Sequence, residues 1–278
     1  MKVNLETEDA VPVTQFDRDT SAHGAEDGFA IRLSERWMGV GGLHGGFVAA
    51  VLLRATAKNV TDPSFEALTL DVTYLATTQP AEAVLITTIE RTGRSVTTVS
   101  ARLIQDSRPA ALAVASFGRP RQEHAKFCDL SLPVETSPES APVVDRNALG
   151  LAPWADNFEM RPCLGGVPFG SSATALSGGW IRLLEDRPID AVLLAALPDA
   201  WMPSIRTRLQ KSHGADSTIK IGLHFSGRGA MSTLDRNGHC FVESQAHIAQ
   251  SGYWQEDVTV WSRTGSVLVR SRQVAIGA

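Results

Sequence analysis

The sequence predicts an α+β chain that builds one kind of unit twice, each unit an antiparallel sheet wrapped around a buried helix. Two observations carry this expectation. Leu68, Leu70, Val72 and Tyr74 alternate with Thr69, Asp71 and Thr73, and about 150 residues later Ile219, Ile221, Leu223 and Phe225 alternate with Lys220, Gly222 and His224 in the same phase. Period-two alternation marks a strand with one buried face. In addition, each of these strands follows an apolar helical segment and precedes a run of β-branched stretches, with turns spaced as consecutive hairpins require.

In the first half, Phe29 to Leu33 reads as a short strand. Gly45-Gly46 then opens a segment, Phe47 to Lys58, that is apolar almost all round, so the helix it forms must be buried on most sides. After the alternating strand come Val84 to Arg91, a Thr92-Gly93 turn, Val96 to Gln105, a turn near Asp106 to Pro109, and Ala110 to Phe117.

The second half repeats the order. Phe158 to Arg161 is extended, and Asp190 caps a helix from Ala191 to Leu197 that is expected to continue, kinked at Pro198, towards Leu209. His239 to Gln250, Trp254 to Ser262 and Val267 to Ile276 supply the later strands. Arg119 to Pro153, punctuated by prolines and without periodicity, reads as a connector. The expected division is residues 1–120, a connector 121–153, and residues 154–278. A sheet that wraps one apolar helix is the hotdog architecture, so the chain is expected to be a double hotdog.

Composition narrows the function. Of 278 residues, 43% are hydrophobic and 20% charged, which supports an ordinary core. The net charge of -4 argues against a nucleic-acid partner, whose binders usually carry a basic excess. The longest apolar stretches, such as Phe47 to Leu53, fall far short of the ~20 residues a membrane span needs. Met1 to Ala10 is polar and acidic rather than leader-like, so the expected location is the cytoplasm. Cys128, Cys163 and Cys240 form no CxxC pair. His124, His213, His224, His239 and His247 show no HxH or HExxH spacing, so no metal or other cofactor is expected. There is no Gly-x-Ser-x-Gly elbow and no nucleotide-binding glycine fingerprint.

The string Gly41-Gly42-Leu43-His44-Gly45-Gly46-Phe47-Val48 resembles the helix entry of the thioesterase-like superfamily that includes type II acyl-CoA thioesterases. Arg91-Thr92-Gly93-Arg94-Ser95, with Ala101 to Gln105 and Ala113 to Phe117, resembles the same family's first hotdog. The resemblance covers about residues 25–118 and 155–277. It implies an aspartate in the second helix, a threonine at the start of the next strand and a glutamine in the last strand. Residue by residue these fall on Asp199, Thr218 and Gln273. The strand after Thr218 departs from the family pattern at Lys220-Ile221 and at Ser226-Gly227.

What the resemblance implies is hydrolysis of an acyl-CoA by a water that these three side chains orient, without a covalent intermediate. Backbone N–H groups at the first helix's entry, on Gly46 and Phe47 beside Gly45, are expected to polarise the thioester, with His44 near the substrate. Trp201 and Met202, next to Asp199, are expected to line the acyl tunnel. The alternatives are an acyl-thioester hydratase or dehydratase, whose usual Asp-x-Asn-Pro-x-His string is missing here, and a non-catalytic acyl-CoA binder. A homodimer or larger assembly is expected because fused hotdogs still expose sheet edges.

Overall fold

The computed structural model describes residues 14–25, 28–145, 151–212, 214, 216–226 and 238–277. Met1 to Ala10, His213, Gly227 and Arg228 lie outside the described residues. The first half runs α1 (Gln15–Thr20), β1 (His23–Ala25), β2 (Gly28–Arg32), α2 (Gly45–Ala57), β3 (Glu66–Tyr74), β4 (Glu82–Thr92), β5 (Val96–Gln105) and β6 (Arg108–Gly118). The second runs β7 (Phe158–Gly165), β8 (Ala175–Leu183), α3 (Ala191–Ala196), β9 (Ser217–Phe225), β10 (Cys240–Gln250), β11 (Tyr253–Ser262) and β12 (Val267–Ile276). Each half is thus two strands, a buried helix and four strands, the double hotdog.

All twelve strands join one sheet, ordered β1-β2-β4-β5-β6-β3-β9-β12-β11-β10-β8-β7. The two alternating strands form its centre. β3 and β9 pair antiparallel, with Leu70 opposite Leu223, Asp71 opposite Gly222 and Val72 opposite Ile221. That register centres on Asp71 and Gly222, so a pseudo-twofold superposes Leu70 on Ile221 and Val72 on Leu223. The buried side chains at this seam, all 0–1% exposed, face a core filled by α2 and α3.

The repeat extends to its irregularities. β3 carries a bulge at Leu68 against β6, and β9 carries one at Ile219 against β12. An extra residue shifts every side chain before it to the other face. Leu68, expected inside, is therefore exposed, while Ala67 is buried. In β9 the same shift turns Thr218 to the inner face that Ile221 and Gln273 share.

The second helix is shorter than its sequence pattern suggests. It is capped by Asp190, whose carboxylate accepts from Leu193 N–H at 2.9 Å, but it ends at Ala196 instead of continuing to Leu209. Pro198 brings no N–H, and one further turn, Ala200 N–H to Ala196 O at 3.1 Å, carries the chain past Asp199 before a 3-10 turn at Ser204–Thr207. β8 went unread in the sequence because Gly178-Gly179 breaks it. A Cβ on Gly179 would overlap Arg161 O and come within 2.7 Å of the Trp201 ring.

The connector is ordered where it crosses the sheet's outer face. Trp180 Nε1 donates to Thr136 O at 2.8 Å, and Ala141 packs against Trp180, Phe241 and Trp261. The seam supports everything else, so Leu70→Ala should remove about 2–5 kcal/mol of stability, as other buried leucine truncations do. Urea unfolding followed by tryptophan fluorescence measures it, and a loss under about 1 kcal/mol would mean that the seam packs loosely.

Candidate active site

The site forms where the first turn of α2 meets the end of α3. His44 caps α2: Phe47 N–H donates to its Nδ1 at 3.2 Å. With Nδ1 accepting, the ring hydrogen sits on Nε2, which donates to the Asp199 carbonyl at 2.8 Å and lies 3.3 Å from Asp199 Oδ2. Trp154 stacks on this imidazole at 4.5 Å. Gly46 N–H donates to Asp199 Oδ2 at 2.8 Å. That contact requires a glycine, because a Cβ on Gly46 would sit 2.5 Å from Ala196 O and 3.1 Å from Asp199 Cβ. The carboxylate also gains from the positive end of the 13-residue α2. Its other oxygen, Oδ1, takes no partner among the described residues.

Tyr74, at the end of β3, closes one side by donating to Gly45 O at 2.7 Å. Burial, and then the nearby Asp199 charge, push its phenol well above its ordinary value of 10, so it stays neutral.

On the sheet side, Thr218 Oγ1 donates to Gln273 Oε1 at 3.1 Å. Gln273 Nε2 in turn donates to Glu256 Oε2 at 2.6 Å. The opposite oxygen of Glu256 accepts from Ser204 N–H and Oγ, both at 2.6 Å, and from Ser244 Oγ at 2.5 Å. Burial drives the Glu256 carboxyl above its ordinary range, and these four bonds pull the other way.

Both groups border one cavity of about 420 Å³. Of the residues expected at the site, His44, Gly45, Asp199, Trp201, Met202, Thr218 and Gln273 all line it. Gly46 and Phe47 do not serve as expected. The Gly46 N–H is held by Asp199 and the Phe47 N–H by His44, while the Phe47 ring is buried and stacked on Trp37 at 4.9 Å. Gly45 is the helix-entry residue on the cavity wall whose N–H has no partner among the described residues. Arg206, on the cavity wall, pairs with Asp216 at 2.8 Å. Lys220, one of the departures from the family pattern, points away from the cavity and sits on the solvent face, 3.4 Å from Asp71.

Sequence reasoning missed Tyr74, Trp154, Trp254 and Glu256. Only the twin alternation ending at Tyr74 hinted at any of them. No three His, Cys, Asp or Glu side chains cluster as a metal-binding set among the described residues, and none of the helices described is long and apolar enough to cross a membrane.

A family model for the acyl-CoA thioesterase N-terminal domain matches residues 33–118, and one for the acyl-CoA thioesterase C-terminal domain matches residues 132–276. No curated protein is matched in sequence. Among solved structures, a conserved protein of unknown function with a hot dog fold from Alicyclobacillus acidocaldarius superposes with a TM-score of 0.86 at 23% identity, covering 95% of this chain and 97% of that one. An acyl-CoA thioesterase II from Mycobacterium marinum superposes with a TM-score of 0.75 at 16% identity, covering 95% and 98%. At such identities the likeness speaks for the fold, whereas the two matched domain models, which between them span most of the chain, place it by sequence: the protein belongs to the acyl-CoA thioesterase family.

Proposed function

We propose that this protein hydrolyses acyl-CoA thioesters to the free acid and CoA, using Asp199, Thr218 and Gln273 to hold the attacking water. The observation that carries the reading is the pairing, across one cavity, of a carboxylate with a free oxygen and a hydroxyl whose own hydrogen is already donated. A water there can give one hydrogen to Asp199 Oδ1 and the other to Thr218 Oγ1. Its lone pair then points at a thioester carbon.

The balance is simple. The water oxygen bonds to the carbonyl carbon as Asp199 takes a proton, and a tetrahedral oxyanion forms. Its collapse breaks the C–S bond, and the departing thiolate recovers the proton from Asp199. The Gly45 N–H, in the first turn of α2, is the donor we assign to the oxyanion. His44 and Gly46 keep the carboxylate in place, with Oδ2 fixed and Oδ1 left to act. Trp201, Met202 and Trp254 supply apolar wall for the acyl group. The proposed working units remain a first hotdog in residues 1–120 and a second in residues 154–278, with the site formed from both. A cytoplasmic homodimer is part of the same reading.

Hydrolysis is favoured over hydration because the glutamine and threonine are tied to each other, and among the described residues no histidine lines the cavity on their side. Thiol release from a panel of acyl-CoAs, followed with a thiol-reactive dye, tests the proposal. Asp199→Ala should lower turnover by at least about 100-fold, at the low end for removal of a positioned base. Turnover near that of the unaltered protein would remove Asp199 from the mechanism.

His44→Ala should cost about 1 kcal/mol of stability through loss of the helix cap. Because the Asp199 carbonyl loses its support, kcat should also fall by roughly tenfold or more at unchanged KM. Steady-state kinetics beside a thermal melt reads both effects, and an unchanged kcat would confine His44 to capping.

A further inference from the structure

We propose that Glu256 is a positioning residue that sets the direction of the hydrogen bonds running through Gln273 and Thr218 into the active site. The inference rests on the hydrolase reading above and goes beyond it.

Glu256 is a costly residue to bury. It is 3% exposed, and no Lys, Arg or His among the described residues pairs with it. A carboxylate taken from water without a counter-charge is tolerated only where hydrogen bonds replace its hydration. Here four donors do so, three on Oε1 and the Gln273 amide on Oε2.

The fold itself does not call for an acid at this place. Gln273 pairs with Ile221 and Glu256 pairs with Gln273. By the pseudo-twofold, Ile221 corresponds to Leu70, which pairs with Ala115, which pairs with Val99. Thr218, opposite Ala275, corresponds in the same way to Ala67, opposite Phe117. The first half therefore fills the positions of Thr218, Gln273 and Glu256 with Ala67, Ala115 and Val99, all buried. One half packs this spot with apolar side chains, and the other installs a hydroxyl, a carboxamide and a carboxylate in series.

The series has a direction because Glu256, which takes donors on both of its oxygens, stands as its final acceptor. Its Oε2 must face the Gln273 NH₂, so the Gln273 carbonyl oxygen must face Thr218, and the Thr218 hydroxyl must donate to it. The lone pairs of Thr218 are then the ones left for the cavity, and a water beside Asp199 finds two acceptors. Were the amide turned round, Thr218 would accept from Gln273 and offer its hydrogen to the water instead. A lone pair of the water would be spent on it rather than on the thioester.

Glu256→Gln tests this, since its shape is nearly that of the native side chain. Three donors from Ser204 and Ser244 hold the carbonyl end of the new amide, so its NH₂ faces Gln273 and forces that amide to turn. The expected result is a kcat about 10- to 100-fold lower at a KM within about twofold, the pattern of a lost transition-state alignment, with a melting temperature near that of the unaltered protein. The exchanged pair, Glu256→Gln with Gln273→Glu, puts an acceptor back against Thr218 and should recover about tenfold over Glu256→Gln alone.

A kcat like that of the unaltered protein in Glu256→Gln, or an exchanged pair no better than Glu256→Gln, overturns the inference. Should Glu256→Gln not fold, a neutron structure of the unaltered protein decides. Gln273 nitrogen towards Glu256 supports the inference, and nitrogen towards Thr218 overturns it. Asp199→Asn run alongside separates the two levels. If it is inactive while Glu256→Gln is normal, only the inference falls. If the unaltered protein releases no thiol, the hydrolase reading falls and takes the inference with it.

Discussion

A hydrogen bond between the two halves of the chain, from Gly46 N–H to Asp199 Oδ2, holds the site together. It exists only because two helix ends approach more closely than a Cβ would allow. The same approach lets His44 reach the Asp199 backbone and brings Tyr74 against Gly45. These contacts do different things to the aspartate. The N–H immobilises one oxygen and leaves the other without a partner among the described residues. A carboxylate just beyond a six-residue helix would be poorly fixed by that helix alone. The first unit supplies the rigidity that the second lacks.

The two units share their topology, their central register and even the position of a bulge, yet only the second sets a hydroxyl, a carboxamide and a carboxylate in series. Bulges bend a strand and re-aim a side chain. At Leu68 the consequence is an apolar residue on the surface. At Ile219 it is a hydroxyl delivered to the inner face beside Gln273. Duplicated architecture with divergent filling separates what the sheet needs in order to fold from what the site needs in order to act. Ala67, Ala115 and Val99 meet the first requirement, and in the mechanism proposed above Thr218, Gln273 and Glu256 meet the second. Buried polar residues in one copy, where the other manages with alkyl groups, are the local exceptions to good packing that functional sites tend to show.

Much of the fold was legible because period-two alternation and an all-round apolar helix are strong signals, and the strands at Val96–Gln105 and Val267–Ile276 follow their patterns to the residue. The sequence was less clear wherever glycine or proline stood for something other than a turn. Gly178-Gly179 lies inside a strand because the Trp201 ring needs the space, and Pro198 ends a helix that its apolar pattern seemed to prolong. Alternation also misleads across a bulge. Strict counting from Ile221 points Thr218 at solvent, and only the family resemblance suggested it as a site residue. Glu256 was invisible for a related reason. In sequence it is one acid beside another, and Asp257, its neighbour, is the one that meets Arg272 at the surface. Trp254, Val258 and Val260 set the inward phase that Glu256 shares, but nothing in the sequence shows that Ser204, Ser244 and Gln273 meet it there. The entry-loop N–H groups failed in a third way, since no sequence pattern says that the Gly46 and Phe47 donors are already taken.

The central claim is that a single water stands between Asp199 and Thr218 with a thioester carbon in front of it. A crystal structure of the Asp199→Asn protein soaked with a slowly turned-over acyl-CoA tests this most directly. The thioester carbon should lie about 3–3.5 Å from a water bound by residue 199 and by Thr218, with the carbonyl oxygen towards the Gly45 N–H. An acyl-CoA bound with its thioester outside this cavity, or with Thr218 turned away from it, would contradict the claim.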